Sequence, residues 1–174
     1  MKEDQLNIRN FHKHSKKYKE YLKSMMISPS LNLGCGHFKI CDVNVDMDKS
    51  YNPDIVHDLN QVPYNFGKFN TILLHHSLEH LEDPDKVLKE IHKILNHEGK
   101  MIIVVPSPLN KNYESKNHKY FFTKSSLMHL VRKYFYKEII FGYRGDTKNY
   151  PIFLNKLIGR IFPNQFICIA QKSI

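Results

Sequence analysis

The sequence predicts an α/β fold with parallel strands, and three stretches carry that prediction. Ser30-Leu31-Asn32-Leu33-Gly34-Cys35-Gly36-His37 is a short apolar run that opens into two glycines one residue apart. Glycine lets the backbone turn sharply and approach a ligand closely. A turn of this kind, at the carboxyl end of a parallel strand, is where doubly wound sheets bind nucleotides. Val87, Leu88, Ile91, Ile94 and Leu95 then repeat at helical spacing. Met101-Ile102-Ile103-Val104-Val105 follows, apolar on both faces as a central parallel strand is. Strand, helix and strand in this rhythm build an α/β sheet.

The remaining elements follow in chain order. Tyr18, Tyr21, Leu22, Met25 and Met26 predict a helix over residues 13–26, stopped before Pro29. It either packs on the body of the protein or lids the site. Val43, Val45 and Met47 alternate with polar residues and predict a second strand, which runs into the acids Asp46 and Asp48. In nucleotide-binding βαβ units an acid closing the second strand takes the ribose hydroxyls, because a carboxylate accepts two hydrogen bonds from a diol. The usual interval from glycines to acid is about 20 residues. Gly36 and Asp46 are only ten apart, so the first crossover helix is expected to be shortened or missing.

Residues 53–59 read as a third strand closed by Asp58, and residues 70–76 as a buried strand ending in His75 and His76. Asp83 then caps a helix with Pro84 at its first position. After His97-Glu98-Gly99 turns the chain into the apolar strand, residues 107–120 form a polar loop. Thr123 opens a helix bearing Leu127, Leu130, Val131 and Tyr134, and residues 139–141 and 166–170 give the last two strands. Between those strands Leu154, Leu157, Ile158, Ile161 and Phe162 recur at helical spacing beside Lys156 and Arg160. That stripe is expected to pack on the sheet; a basic amphipathic helix resting on an anionic membrane is the alternative.

At 174 residues the chain fits one domain, 1–174. Within it, 1–28 is a helical extension and 107–174 a basic tail on the substrate side. No run approaches the ~20 apolar residues of a membrane span. Met1-Lys2-Glu3-Asp4-Gln5 does not open a signal peptide. Three cysteines make no disulfide framework and suit a reducing, cytoplasmic setting. The net charge of +9 is uneven. Residues 1–29 carry seven basic and three acidic side chains, residues 30–106 seven and eleven, and residues 107–174 twelve and three. The acidic middle favours a cationic ligand and the basic tail an anionic one.

Five pieces, in order, resemble the class I S-adenosylmethionine-dependent methyltransferases, particularly the small bacterial and archaeal type. They are Leu31-Asn32-Leu33-Gly34-Cys35-Gly36, Asn44-Val45-Asp46, Asp58-Leu59, Leu78-Glu79-His80-Leu81 and Glu90-Ile91-His92-Lys93-Ile94-Leu95. His118-Lys119-Tyr120-Phe121-Phe122-Thr123 in the tail is similar as well. The resemblance implies a Rossmann-like three-layer sandwich, its sheet mostly parallel with the last strand antiparallel. It implies S-adenosylmethionine as cofactor. Gly34, Cys35 and Gly36 would pass under its methionine part, Asp46 would hold the ribose hydroxyls, Asp58 the adenine amino group, and Leu59 would lie against the ring. Asn32 stands where many members carry an acid for the methionine ammonium, and Phe38 where they carry a third glycine. His75 and His76 fall where the fourth strand opens toward cofactor sulfur and acceptor.

Methyl transfer is an in-line displacement at a sulfonium, already a good leaving group, so alignment is the enzyme's main contribution, up to ~7–11 kcal/mol in ideal models. A base matters when the acceptor must lose a proton, and histidine suits the task. Of His75, His76, Glu79 and His80, His76 is the favoured catalytic residue and His75 the second. Glu79 and His80 read as structural. Tyr113, His118 and Tyr120 lie in the polar loop expected over the acceptor. No metal site is expected. Cys35, His37 and Cys41 have a spacing zinc accepts, but no fourth ligand accompanies them and Cys35 lies in the cofactor turn. The expected function is methyl transfer from S-adenosylmethionine to a small anionic acceptor, such as a phosphorylated, nucleotide-bearing or lipid-linked sugar. A non-catalytic cofactor-binding scaffold is one alternative. An RNA methyltransferase is the other: the basic flanks permit nucleic acid, though no stacking or groove-reading motif stands out.

Overall fold

The computed structural model describes residues 16–110, 113–144 and 151–172. Its strands are β1 (Ser30–Leu33), β2 (Val43–Asp46), β3 (Ile55–Val56), β4 (Phe69–His75), β5 (Leu95–Pro106), β6 (Tyr136–Tyr143) and β7 (Gln165–Gln171). They form one seven-stranded sheet in the order β3-β2-β1-β4-β5-β7-β6. All the pairings from β3 to β5 are parallel, while β7 runs antiparallel to both β5 and β6. The strand order reverses at β1, which pairs with β2 on one side and β4 on the other. Chains leave these two strands in opposite directions there and open a crevice at the carboxyl edge.

Alternate side chains of the central strands feed two cores. Ile72 and Leu74 of β4, with Met101, Ile103 and Val105 of β5, face α2 (Pro84–Ile94) and α3 (Lys124–Val131). Leu73, Ile102 and Val104 point the other way, onto Tyr18 and Leu22 of α1 (Lys16–Lys23). Helix α2 forms where expected: the Asp83 carboxylate accepts from Lys86 N, Pro84 sits in the first turn, and Val87, Leu88, Ile91 and Ile94 are buried. Each such aliphatic side chain contributes about 1.5–3 kcal/mol on burial.

The β1–β2 connection, residues 34–42, holds no helix. Phe38 and Ile40 are buried there and join α1 in covering the sheet. An element from before β1 thus occupies the layer that the crossover helix would have filled. Residues 13–15 of the expected first helix lie outside the described residues. Strand β5 starts earlier than its apolar run suggests. Leu95, still bonded through its N–H to Ile91 O at the end of α2, already pairs with Phe69. The register then jumps to Thr71 opposite Lys100, and Glu98 takes a φ of +59° in the extra turn.

One packing expectation holds only in part. In α4 (Ile152–Ile161) Leu157, Ile161 and the following Phe162 are 54%, 68% and 56% exposed, as is Phe153 at 67%. The reason is a backbone contact. A Cβ on Gly142 of β6 would lie 2.1 Å from Gly159 O, and one on Gly159 would lie 2.7 Å from Tyr143 Cα. The helix meets the edge strand through Gly159, with Leu154 and Ile158 half-buried, and this turns Phe153, Leu157 and Ile161 outward. No helix among the described residues is long and apolar enough to cross a membrane.

Candidate active site

The crevice is built on the glycine turn. Gly34 and Gly36 have φ of +73° and +46°, the left-handed region that glycine enters without steric cost. At Gly34 a Cβ would lie 2.6 Å from Ser77 Cβ. Ser77 Oγ donates to Leu33 O at 2.9 Å, and Gly34 N and Cys35 N both donate to Val45 O at 2.9 Å. The ends of β1, β2 and β4 are thereby tied together. At Gly36 an added Cβ would meet nothing within 4 Å, so the turn faces open space.

Asp46 closes β2 beside that space. Gly36 N donates to its Oδ2 at 2.7 Å and Asp48 N to its Oδ1 at 2.9 Å. Each oxygen keeps a second lone pair, which suits a diol. Asp58 Oδ1 accepts from Asn60 N and Nδ2, which leaves Oδ2 without a partner among the described residues. Leu59 is buried close under Gly34. Asn32 is fully buried; its Nδ2 donates to Phe38 O at 2.6 Å, and its Oδ1 is an unpaired acceptor. Burial, with the negative Asp46 nearby, pushes the Cys35 thiol up to about 11, so it stays protonated near neutrality. These groups fit S-adenosylmethionine: a held carboxylate for the ribose, a spare acceptor for the adenine amino group, and an open glycine turn for the methionine part.

The two histidines at the end of β4 part company. His75 is buried, stacked on Phe38 at a centroid distance of 4.0 Å, with Nε2 3.3 Å from Tyr18 Oη. His76 lies at the carboxyl edge with its side chain 25% exposed. Its φ of +53° is left-handed, costly for a non-glycine residue by about 1–3 kcal/mol and characteristic of functional positions. His76 Nδ1 is 3.3 Å from Glu79 Oε1, and Nε2 is 3.2 Å from Gln165 Oε1. Gln165 Nε2 in turn donates to Tyr18 Oη at 3.1 Å. Burial holds the Tyr18 hydroxyl protonated far above the ordinary tyrosine range.

The tail loop folds back onto the turn after β4. Lys119 N and Tyr120 N both donate to Glu79 O, at 2.8 and 3.1 Å. His118 thereby lies against His80, ring centroids 4.8 Å apart. Tyr113 packs on Phe121, and its hydroxyl is pushed up by burial and then by Glu114. The Tyr120 hydroxyl donates to Glu82 O at 3.0 Å. Cys35, His37 and Cys41 belong to no metal-type cluster among the described residues. Cys41 Sγ instead lies 3.7 Å from Met26 Sδ, and His37 meets the edge of Tyr51. Sequence reasoning passed over Tyr18 and Gln165. The first reads as a core residue of α1, and the second is only the polar start of an apolar strand.

Residues 31–103 match the family model of a methyltransferase domain. Residues 31–103 therefore carry a methyltransferase domain, on the fold of the class I, S-adenosylmethionine-dependent enzymes. Solved structures share the architecture across nearly the whole chain. A Thermotoga maritima S-adenosylmethionine-dependent methyltransferase, described as a possible histamine N-methyltransferase, has a TM-score of 0.67 at 16% identity over 90% of this chain and 88% of that one. A complex between a Haloferax volcanii methyltransferase activator and a putative methyltransferase gives 0.67 at 12% identity, over 97% and 93%. The plantazolicin methyltransferase, solved with a monoazolic desmethylPZN analogue and SAH, gives 0.57 at 16% identity, over 91% and 80%. At these identities the likeness is one of fold. No curated protein sequence matches the chain.

Proposed function

We propose that this methyltransferase, acting as a single domain in the cytoplasm, methylates a hydroxyl of a small anionic acceptor such as a phosphorylated, nucleotide-bearing or lipid-linked sugar. The observation that carries the proposal is the His76 imidazole at the carboxyl edge, held between Glu79 and Gln165. Bound S-adenosylmethionine supplies an electrophilic methyl group. Asp46 and the turn Gly34–Gly36 would position its ribose and methionine parts, with Asp58 and Leu59 at the adenine and Asn32 Oδ1 on the ammonium side. With Nδ1–H donated to Glu79, Nε2 of the neutral His76 ring is the basic nitrogen and would take the acceptor hydroxyl's proton during the transfer. Gln165 Oε1 can only accept, so it is paired once Nε2 has gained that proton. His75 supports this arrangement from the core, through Tyr18 and Gln165.

Charge supports the acceptor class. In the tail Lys119, Arg132 and Lys133 are paired with Glu82, Glu138 and Asp85. Lys124 and Arg160 have no ion-pair partner among the described residues, and both line a cavity of about 290 Å³ with Phe141, Gly142, Pro163 and Phe166. Tyr113, His118 and Tyr120 cover the carboxyl edge. Three free cysteines suit the cytoplasm.

The test is methyl transfer from labelled S-adenosylmethionine to a panel of sugar phosphates and nucleotide sugars. His76→Ala is expected to lower kcat by about 10²- to 10⁴-fold, the usual range for a general base, while S-adenosylhomocysteine still binds. Unchanged turnover in His76→Ala removes the base. Affinity for RNA that falls steeply with salt, with no turnover on the panel, replaces the acceptor.

A further inference from the structure

We infer that Glu79, His80 and His118 form a binding site for a divalent transition-metal cation of the zinc class. Their ligand atoms lie within 4.8 Å of one another, and no other such trio occurs among the described residues. Glu79 and His80 come from the turn Leu78–His80 after β4, and His118 from the tail loop. The two hydrogen bonds to Glu79 O from Lys119 and Tyr120 pin these segments together.

Both imidazoles are set for ligation. His80 Nδ1 is 2.8 Å from Asn117 O, and His118 Nδ1 is 2.8 Å from Tyr113 O. A carbonyl oxygen only accepts, so each Nδ1 carries its hydrogen and each neutral ring presents the Nε2 lone pair. Tying the outer N–H to a carbonyl is how proteins orient metal-binding histidines. The third donor is Glu79, 1% exposed. One of its oxygens faces His76 and the other, Oε2, is buried without a hydrogen-bond partner. A buried carboxylate oxygen without a hydrogen-bond partner is costly in a protein interior, and a cation removes that cost.

Two imidazoles and one carboxylate are three protein ligands with at least one position left open, the pattern of a catalytic rather than a structural zinc site. Iron(II), manganese(II) and cobalt(II) accept the same donors. Bonds of about 2.0–2.2 Å require the trio to close in when the cation binds. The Glu79 carboxylate, whose other oxygen meets His76 Nδ1, would link the cation to His76.

The test needs neither acceptor nor turnover, so its failure is separate from failure of the acceptor reading. Full-length protein stripped of metal is titrated with zinc, manganese(II), iron(II) and cobalt(II), and binding is followed by calorimetry and by the visible bands of cobalt. One equivalent per chain is expected. Affinity should fall about 100-fold or more in His80→Ala and in His118→Ala, since even outer-shell changes cost 10–100-fold. His12→Ala/His14→Ala should bind as the wild type does. Long-range proton–nitrogen spectra of the wild-type histidine rings supply a readout free of folding effects. Two Nε2 signals should move on zinc addition while their Nδ1 stays protonated. No stoichiometric binding of any of the four ions, binding unchanged in both variants, or ring signals that stay put overturns the site.

Discussion

The half of the chain that builds the glycine turn and the half that follows β5 solve different problems with the same sheet. From β1 to β5 most apolar side chains are sealed between helices and strands, Met47 and Val56 excepted, and Asp46 and Asp58 are oriented by neighbouring amides. After β5 the chain is basic, returns to the edge through a loop, and leaves four large apolar residues of α4 and its end in solvent. The first half holds a reagent of fixed shape, and a backbone cradle suits that. The second is where the proposed acceptor contacts fall, on loops and side chains rather than on strand ends.

The largest expected effect tests that contrast in packing. Leu88 and Leu157 are both leucines on helices, one fully buried and one 54% exposed. Leu88→Ala should cost about 2–5 kcal/mol by loss of transfer energy and creation of a cavity. Leu157→Ala should stay within about 0.5 kcal/mol of the wild type. Urea unfolding of both variants measures this, and equal losses would mean that the α4 stripe is covered in solution.

A smaller effect tests the cradle. Asp46→Asn keeps the shape but removes the charge, leaving one oxygen where Gly36 N and Asp48 N had two. Hydrogen bonds to a charged partner are worth about 1.5–3 kcal/mol. S-adenosylhomocysteine affinity should therefore fall about 10- to 100-fold by calorimetry. An undiminished affinity would detach the ribose from Asp46.

Much of the first half was legible because its signals are local. The two-residue period of Val43 and Val45 marks β2, the stripe on α2 marks its buried face, and the ten-residue gap from Gly36 to Asp46 announces the missing crossover helix. The second half turns on contacts between distant positions. Gln165 meets His76 across 89 residues and His80 meets the Asn117 carbonyl across 37. Neither spacing has a period to read. The outward turn of α4 follows from Gly159 against Gly142, a tertiary contact that a helical stripe alone does not reveal. Glycine at both positions is its one trace in the sequence.

The smallest effect concerns acid sensitivity, which should concentrate in the first half. The carboxyl of Asp42 is held below the ordinary aspartate range by hydrogen bonds from Ser28 Oγ and from Ser30 N and Oγ. Asp54 is lowered likewise by the Asn44 side chain and backbone. A carboxyl with a folded value below its unfolded one binds fewer protons in the native state. Its stabilisation is fully present above the unfolded value of about 3.9 and is lost as pH falls through the lower folded value. Both groups are solvent-exposed, so the contribution is screened and small. Melting temperature should be flat from neutral pH to about 5 and decline below about 4. Asp42→Asn/Asp54→Asn should lower the plateau slightly and flatten the decline. A decline as steep as in the wild type would move the acid-sensitive groups elsewhere, with Asp85 as the next to test, since Lys133 and Tyr134 of the tail hold its carboxyl low across the boundary between the halves.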